Sequence, residues 1–240
     1  VDGSWQTASG NSSSGTPSTE VVAGNSRIAG DFRKAKHWLY DIHADHRIDF
    51  YCGCGFDKSR RKIDTRECGY KIQEDRTRGG RIEAEHVIPA SWFGKPRACW
   101  NERNCRNDRG ELVDGRDCCL ATDESFVQAH NDLHNLQPAI GELNKHRGSY
   151  PFGEIRGESR EYGSCDFEVE RSVEPPPGVR GDIARTAFYM RDRYGVELRG
   201  NQVRTLEQWA KADPVDQWER QRNERIARKQ GVSNPYIAGE

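Results

Sequence analysis

Eight cysteines constrain the fold of this 240-residue chain more than any other feature of its sequence. Leu, Ile, Val and Phe together account for 41 of the 240 residues, so the material for an apolar core is scarce. An even number of cysteines in such a chain is typical of a disulfide-stabilised, exported protein, secreted or periplasmic. The alternative is a zinc site, but the paired C-x2–4-C spacing of zinc modules is absent from the sequence. We expect disulfides, whose pairing the spacing alone does not fix, among Cys52, Cys54, Cys68, Cys99, Cys105, Cys118, Cys119 and Cys165.

The chain divides into a polar tail and one larger region. Residues 1–26 are rich in Ser, Gly, Thr and Asn, which predicts a flexible N-terminal tail. Residues 27–240 have the length of a single domain. The mean hydropathy of −0.96 and the lack of an apolar run long enough to cross a bilayer exclude a transmembrane helix, so no membrane partner is expected.

Local sequence patterns predict an α+β fold with short strands and surrounding helices. The sequence shows no regular alternation of strands and helices that would build a parallel sheet. Residues 47–56 and 81–93 are candidate strands. Helices are expected over about 28–45, 183–194 and 218–230, from Val203 to just before Pro214, and from Pro138 through Asn144.

The charged residues favour a polyanionic partner. The formal net charge is only −1, yet arginine outnumbers lysine by 28 to 9, and the arginine fork pairs with phosphate bidentately. A GC-rich genome is an alternative source of the arginine excess. The order of the charges is more informative, because an arginine-rich stretch at 76–109 is followed by an acidic stretch at 111–132. A basic patch beside an acidic segment suits a nucleic-acid site.

The strongest chemical signal is residues 81–89, RIEAEHVIP. Carboxylate oxygens suit a hard cation such as Mg²⁺, and a neutral histidine suits a general base. In a regular strand Glu83 and Glu85 share one face while His86 points to the other. Glu85 and His86 can therefore serve one site only if the strand ends or twists there, which Pro89 favours. The alternative is a strand edge with solvated acids.

A second cluster is residues 132–144, DLHNLQPAIGELN. Asn144 is expected about two turns into the helix, where its side chain offers a neutral oxygen ligand. Taken alone, His134 or Asn144 would be interpreted as a structural or surface residue.

Six segments together resemble the bacterial endonuclease I family. They are FYCGC at 50–54, ECGY at 67–70, RIEAEHVIPASWFG at 81–94, DLHNLQPAIGELN at 132–144, DIARTAFYM at 182–190 and RIARKQGVSNPY at 225–236. The resemblance covers roughly residues 28–237, and the pair EHVIP plus DLHNLQPAIGELN is highly specific. It implies an exported nuclease with a ββα-metal (His-metal finger) core, surrounded by helices and short strands and stapled by disulfides.

The resemblance also implies roles for individual residues. Glu85 and Asn144 match the two protein ligands of a single Mg²⁺, and His86 matches the general base. Arg103 matches the arginine that grips the scissile phosphate. Because the segment between Cys99 and Cys105 is shorter than is usual in the family, Arg97 and Arg106 are alternatives for this role. Arg81 is a further substrate-binding candidate. The supporting residues are Glu83, His134 and Asn135.

Two departures from the family pattern affect the disulfides. Residues 110–129 form a longer segment with adjacent Cys118 and Cys119, and the C-terminal region lacks the cysteines found in many members. The match of the other six cysteines to the family favours pairing among themselves. The expected bridges are Cys52–Cys165, Cys54–Cys68, Cys99–Cys105 and, by default, Cys118–Cys119.

These features lead to one functional expectation and one rival. The first is an exported, monomeric Mg²⁺-dependent endonuclease that contacts phosphates of DNA and RNA and hydrolyses them without sequence preference, leaving 5′-phosphates. Mn²⁺ and Ca²⁺ are alternative occupants of the metal site. The rival is a catalytically silent secreted nucleic-acid-binding protein of the same fold. It would need the arginines but not Glu85, His86 and Asn144 together.

Overall fold

The computed structural model describes residues 27–57, 59, 61–157 and 159–239. The predicted flexible tail, residues 1–26, lies outside the described residues. No helix among the described residues is both long and apolar enough to span a membrane.

Short strands lie among many helices, which confirms the α+β prediction. The helices are α1 (Phe32–Ile42), α2 (Arg76–Gly79), α3 (Ala90–Gly94), α4 (Ala98–Asn101), α5 (Gly115–Thr122), α6 (Glu124–Asn131), α7 (Gly141–Arg147), α8 (Arg180–Tyr194), α9 (Gly200–Ala212), α10 (Gln217–Gln230) and α11 (Pro235–Ala238). The strands are β1 (Ile82–His86), β2 (Leu136–Ile140), β3 (Glu168–Val169) and β4 (Val173–Glu174). They pair as two antiparallel sheets, β1 with β2 and β3 with β4.

The four long helices expected from the sequence are confirmed: α1, α8, α9 and α10. Helix α1 begins where the Asp31 carboxylate accepts the Lys34 N–H at 2.8 Å. Helix α8 ends at Gly195, whose φ of 68° lies in the left-handed region that glycine adopts without strain. Helix α10 begins with a reciprocal capping box between Asp216 and Glu219.

The predicted helix start at Pro138 is wrong. Pro138 lies in β2, opposite Ala84 of β1, and the helix begins only at Gly141. All five residues of β2 are buried, so the strand has no polar alternation by which the sequence could reveal it. As a consequence Asn144 lies in the first turn of α7 rather than two turns into a helix.

The two candidate strands are only partly formed. Residues 47–56 make isolated bridges, Ile48 with Gly55 and Phe56 with Ile63, around a turn that the buried Asp49 carboxylate organises. In the segment 81–93, strand β1 stops at His86 and helix α3 follows Pro89.

The two largest apolar clusters of the described residues both include side chains of the β1–β2 sheet. The larger joins β2 and α7 to α3, α6, α8 and α9 through buried residues such as Phe126, Leu143 and Met190. The smaller joins α1 and α10 through Leu39 and Ile226. The sheet therefore connects the two clusters.

Four disulfides replace part of the missing apolar core. Cys52–Cys165 and Cys54–Cys68 are formed as expected. The expected Cys99–Cys105 and Cys118–Cys119 bridges are wrong, because the structure pairs Cys99 with Cys119 and Cys105 with Cys118. Cys118 and Cys119 are neighbours in α5, and consecutive side chains of a helix point about 100° apart, so each meets a different partner.

Candidate active site

The candidate catalytic and metal-binding residues of β1 lie on opposite faces of the strand. Glu83 and Glu85 point toward α7, while His86 packs against Phe32 of α1, with ring centroids 5.4 Å apart. This is the alternation expected of a regular strand. Glu85 and His86 are the last two residues of β1, so both side chains lie at the same end of the strand.

Helix α7 lies across the acidic face of β1 because its first residue is glycine. A Cβ at Gly141 would lie 2.8 Å from the Glu83 carboxyl carbon and 2.9 Å from the Arg78 carbonyl oxygen. Gly141 N donates to Arg81 O at 3.0 Å, which ties the start of α7 to the start of β1. The helix then places Asn144 beside Glu83, and Arg147 one turn later beside Glu85.

Glu83 is half-buried in a local ion-pair network. Its carboxylate accepts hydrogen bonds from the guanidinium groups of Arg78 and Arg81. Asn144 Nδ2 donates to Glu83 Oε2 at 3.1 Å, which leaves the Asn144 side-chain oxygen available to another partner. The structure thus gives Glu83 a role that the sequence left open, since it orients the Asn144 amide.

Glu85 is a buried carboxylate, with 2% of its surface exposed. In the described part of the chain, the donor of its hydrogen bond is the Tyr51 hydroxyl, 3.1 Å from Oε1. Arg147 Nε is 3.6 Å from the same oxygen. Burial raises the pKa of Glu85 to about 7, and the nearby Arg147 charge limits that rise. A carboxylate that is this costly to bury suits a cation that would compensate its charge.

His86 has a defined tautomer. Its Nε2 lies 2.8 Å from the carbonyl oxygen of His130, and since a carbonyl can only accept, Nε2 carries the hydrogen. Burial lowers the pKa of His86 well below its usual range; the neighbouring His130 ring and the Arg116 charge lower it further, and the hydrogen bond to His130 O opposes the fall. The ring is therefore neutral, with its basic lone pair on Nδ1.

Asn135 and His134 support the end of β1 in different ways. The Asn135 amide accepts from Ile88 N at 2.7 Å and donates to Ile88 O at 2.9 Å, which fixes the segment after His86. His134 is buried, and its Nε2 donates to Val232 O at 2.9 Å. His134 therefore joins the 3₁₀ turn before β2 to the C-terminal region, away from the acidic face.

The arginines predicted to bind phosphate are in different situations. Arg97 is half-buried, and its guanidinium binds Phe93 O, the Asp123 carboxylate and Ser125 Oγ. Arg81 is engaged with Glu83, and Arg106 donates to Gly110 O. Arg103 is exposed, and no side-chain partner for it is found among the residues that the structure describes. Of the four, Arg103 has its whole guanidinium available to a ligand in the described part of the chain, whereas the exposed Arg106 has one nitrogen engaged.

Three residues near the site escaped sequence reasoning. Tyr51 and Arg147 are far from Glu85 in the sequence and contact it only in the folded protein, so no local sequence pattern links them to Glu85. Arg116 was a lone basic residue in an acidic stretch. It is exposed at the start of α5, and its charge contributes to the lowered pKa values of His86 and of His130, the latter lowered mainly by burial to about 4.

A second cluster of potential metal ligands has a structural role that requires no metal. Asp49, Cys52 and Cys54 lie close together, but both cysteines are in disulfides. The Asp49 carboxylate accepts the backbone N–H groups of Tyr51, Cys52 and Cys54. This cluster therefore shapes the turn that delivers Tyr51 to Glu85.

Comparison with known proteins decides the family. The profile of the endonuclease I family matches residues 18–240, which include every site residue described above. The chain belongs to the endonuclease I family. An extracellular deoxyribonuclease of Aeromonas hydrophila is 42% identical over 215 residues, which cover 87% of this chain and 89% of the relative. A periplasmic deoxyribonuclease of the same organism is 40% identical over 87% of this chain and 86% of its own length.

A more distant match has another substrate in its name. An extracellular ribonuclease of Bacillus subtilis is 37% identical over 125 residues, which are 44% of this chain and 43% of the relative. With its relatives, this endonuclease I family member is a secreted or periplasmic nuclease, as the disulfides and the sequence patterns predicted.

Proposed function

We propose that the protein is a Mg²⁺-dependent endonuclease that hydrolyses DNA and RNA without sequence preference and leaves 5′-phosphates. His86 is the general base, and Glu85 and Asn144 hold one metal ion. In this proposal β1, β2 and α7 form a ββα-metal core, within a single domain that acts as a monomer. The observation that carries the proposal is the neutral His86 with a fixed tautomer, at the end of a strand that carries a buried carboxylate.

The base function follows from the hydrogen bond to His130. Because Nε2 donates to a main-chain carbonyl, Nδ1 is free to take a proton from a water molecule. The lowered pKa keeps the ring neutral at physiological pH, so it is ready to accept that proton. Phe32 and His130 pack against the ring and hold its orientation. The substrate has to approach at the end of β1, where the faces of Glu85 and His86 meet.

The donor set fits a hard divalent cation. Glu85 offers a carboxylate that is incompletely compensated by Tyr51 and Arg147, and Asn144 offers an amide oxygen that Glu83 directs away from itself. Oxygen donors of this kind suit Mg²⁺, and Mn²⁺ or Ca²⁺ are alternatives. A divalent ion held there would stabilise the negative charge that develops on the phosphate during hydrolysis.

Arg103 is the first candidate to bind the phosphate. Its exposed guanidinium is not held in an ion pair in the described part of the chain, whereas Arg97 is fixed to Asp123. Arg116 is a second candidate, because its charge reaches the His86 ring. Phosphate contacts of this kind position the substrate without reading its bases, which is consistent with a lack of sequence preference.

The substrate range rests on the relatives. The names of the Aeromonas proteins specify deoxyribonuclease activity, and the name of the shorter Bacillus match specifies ribonuclease activity. A site that recognises phosphates can act on both. The silent-binder alternative is disfavoured, because a binder has no use for a buried Glu85, an oriented Asn144 and a histidine with a free Nδ1.

The test is nicking of supercoiled plasmid and cleavage of an RNA oligonucleotide. We expect cleavage with Mg²⁺, none with EDTA, and nicks that DNA ligase reseals because they carry 5′-phosphates. Cleavage that EDTA leaves unchanged would refute the metal dependence, and nicks that ligase cannot seal would refute the 5′-phosphate products.

The role of Arg103 is tested by substitution. Arg103→Gln should weaken DNA binding, while the matched Arg97→Gln should lower the stability of the protein instead. Light scattering of the purified protein should give the mass of one chain, 27.3 kDa, if the protein is a monomer.

A further inference from the structure

Arg147 is a buried arginine at the end of α7, with 1% of its surface exposed. Its Nη1 donates to His86 O at 3.3 Å and to Gly148 O at 3.2 Å, and its Nη2 donates to Val87 O. Its Nε faces Glu85 Oε1 at 3.6 Å, which is too long for a hydrogen bond, and this buried Nε has no hydrogen-bond partner. The Phe152 ring lies 4.7 Å from the guanidinium and covers its face.

A second buried arginine shows what an optimised ion pair looks like in this fold. Arg185 Nε and Nη2 donate to the two carboxylate oxygens of Glu219, the first at 2.8 Å and the second at 2.5 Å. Arg147 does not bind Glu85 in this bidentate way. Its Nη1 and Nη2 instead donate to main-chain carbonyls, those of His86 and Val87 at the end of β1 and that of Gly148 after α7. The placement of Arg147 therefore fixes the end of β1 more than it neutralises Glu85.

The position of Arg147 in α7 adds a connection to Asn144. The two residues are three apart in the helix, so they lie on the same side of it. Asn144 contacts Glu83, and Arg147 contacts the end of β1 two to three residues further on. A shift of α7 along β1 would break the contact of Asn144 with Glu83 and change the position of Asn144 relative to Glu85.

We propose that Arg147 is a positioning residue that holds α7 against the end of β1, so that Asn144, Glu85 and His86 stay in register for metal binding and proton transfer. This inference rests on the proposed function. Its physical basis is one rigid, fully buried guanidinium that contacts the main chain of the base and faces the carboxylate of the metal ligand. Lysine keeps the charge but cannot reach all three carbonyls and Glu85 at once.

The test is Arg147→Lys, with Arg185→Lys as the matched buried-arginine control. Binding of Mn²⁺ is measured by calorimetry in the absence of substrate, together with kcat and KM on an oligonucleotide and the melting temperature. Loss of a group that orients metal ligands typically costs about 10–100-fold in metal affinity or activity. We expect a rise of this size in the Mn²⁺ Kd and a comparable fall in kcat for Arg147→Lys, with KM little changed. Arg185→Lys should melt at a lower temperature but bind Mn²⁺ like the wild type.

Each outcome bears on the proposal. A Kd of Arg147→Lys within about twofold of wild type, or an equal change in both variants, refutes the positioning role. If Arg147→Lys does not fold, Phe152→Leu decides. It removes the aromatic cover of the guanidinium and should raise the Mn²⁺ Kd in the same direction by a smaller factor, and unchanged binding refutes the inference. A wild-type protein that binds no Mn²⁺ refutes the proposed function itself, whereas wild-type binding with normal Arg147→Lys binding refutes only this inference.

Discussion

Removal of the Cys105–Cys118 bridge should destabilise the protein by an amount that the disulfide topology sets. This bridge lies inside the Cys99–Cys119 bridge along the chain, with separations of 13 and 20 residues. While the outer bridge is intact, the inner one closes an additional ring of only about eight residues, through residues 99–105 and the outer bridge. In the chain-entropy model a ring of that size contributes about 2.5 kcal/mol to the free energy of unfolding.

The variant is Cys105→Ala/Cys118→Ala, with alanine because both cysteines are buried. For a domain of this size, about 2.5 kcal/mol lowers the melting temperature by about 5–10 °C. The control is Cys52→Ala/Cys165→Ala, which opens a ring of roughly 80 residues while the other bridges are intact and should cost about 4.5 kcal/mol. Urea unfolding of the oxidised proteins measures both losses. A larger loss for the short ring than for the long one would refute the topological reasoning.

The same variant has a functional consequence. Arg103 lies within the segment closed by the two bridges, and Arg116 lies two residues before Cys118. Opening the inner bridge should therefore raise KM for DNA by freeing these arginines, while Mn²⁺ binding stays unchanged because Glu85 and Asn144 lie elsewhere. Weakened Mn²⁺ binding would show that the bridge also holds the metal site.

Three further measurements test other parts of the structure. Burial, with the nearby Arg222 charge, lowers the pKa of His43 to about 3. Between about pH 6.5 and 3, His43 is therefore protonated in the unfolded state but not in the folded state, and the free energy of unfolding falls as the pH is lowered. His43→Gln should remove up to about 1.4 kcal/mol per pH unit from that slope in urea unfolding, and an unchanged slope contradicts this. Asn135→Ala leaves both main-chain groups of Ile88 unpaired and should cost about 1–3 kcal/mol for each, measured in the same way, whereas a loss under about 0.5 kcal/mol contradicts it. Because the net charge is −1 and residues 111–132 are acidic, nicking should persist at high salt, and an optimum at very low salt with a steep fall above it contradicts this.

Local sequence was sufficient wherever an element depends on its own residues. The apolar spacing predicted α1, α8 and α9. Helices α1 and α9 bury apolar side chains along one face, whereas most of α8 is buried. Strand alternation predicted that Glu83 and Glu85 share a face opposite His86. The site residues themselves came from the resemblance of 81–94 and 132–144 to a known family.

Features that depend on distant contacts could not be predicted. Pro138 favours a helix start locally, but pairing with β1 and burial on both faces make it part of a strand. The adjacent cysteines could be assigned only once α5 turned them toward different partners. Arg147 looks like an ordinary last-turn arginine in the sequence, and only the fold brings it to Glu85 and His86.

The most direct test of the account separates the roles of the two neighbours at the end of β1. Mn²⁺ and DNA binding are titrated by calorimetry on Glu85→Ala and His86→Ala, alongside nicking rates. Glu85→Ala should lose metal binding and turnover together. His86→Ala should bind Mn²⁺ and DNA like the wild type, while its nicking rate falls by about 10²–10⁴-fold, as is typical when a general base is removed. If His86→Ala loses the metal while Glu85→Ala retains it, the assignment of base and metal ligand is contradicted.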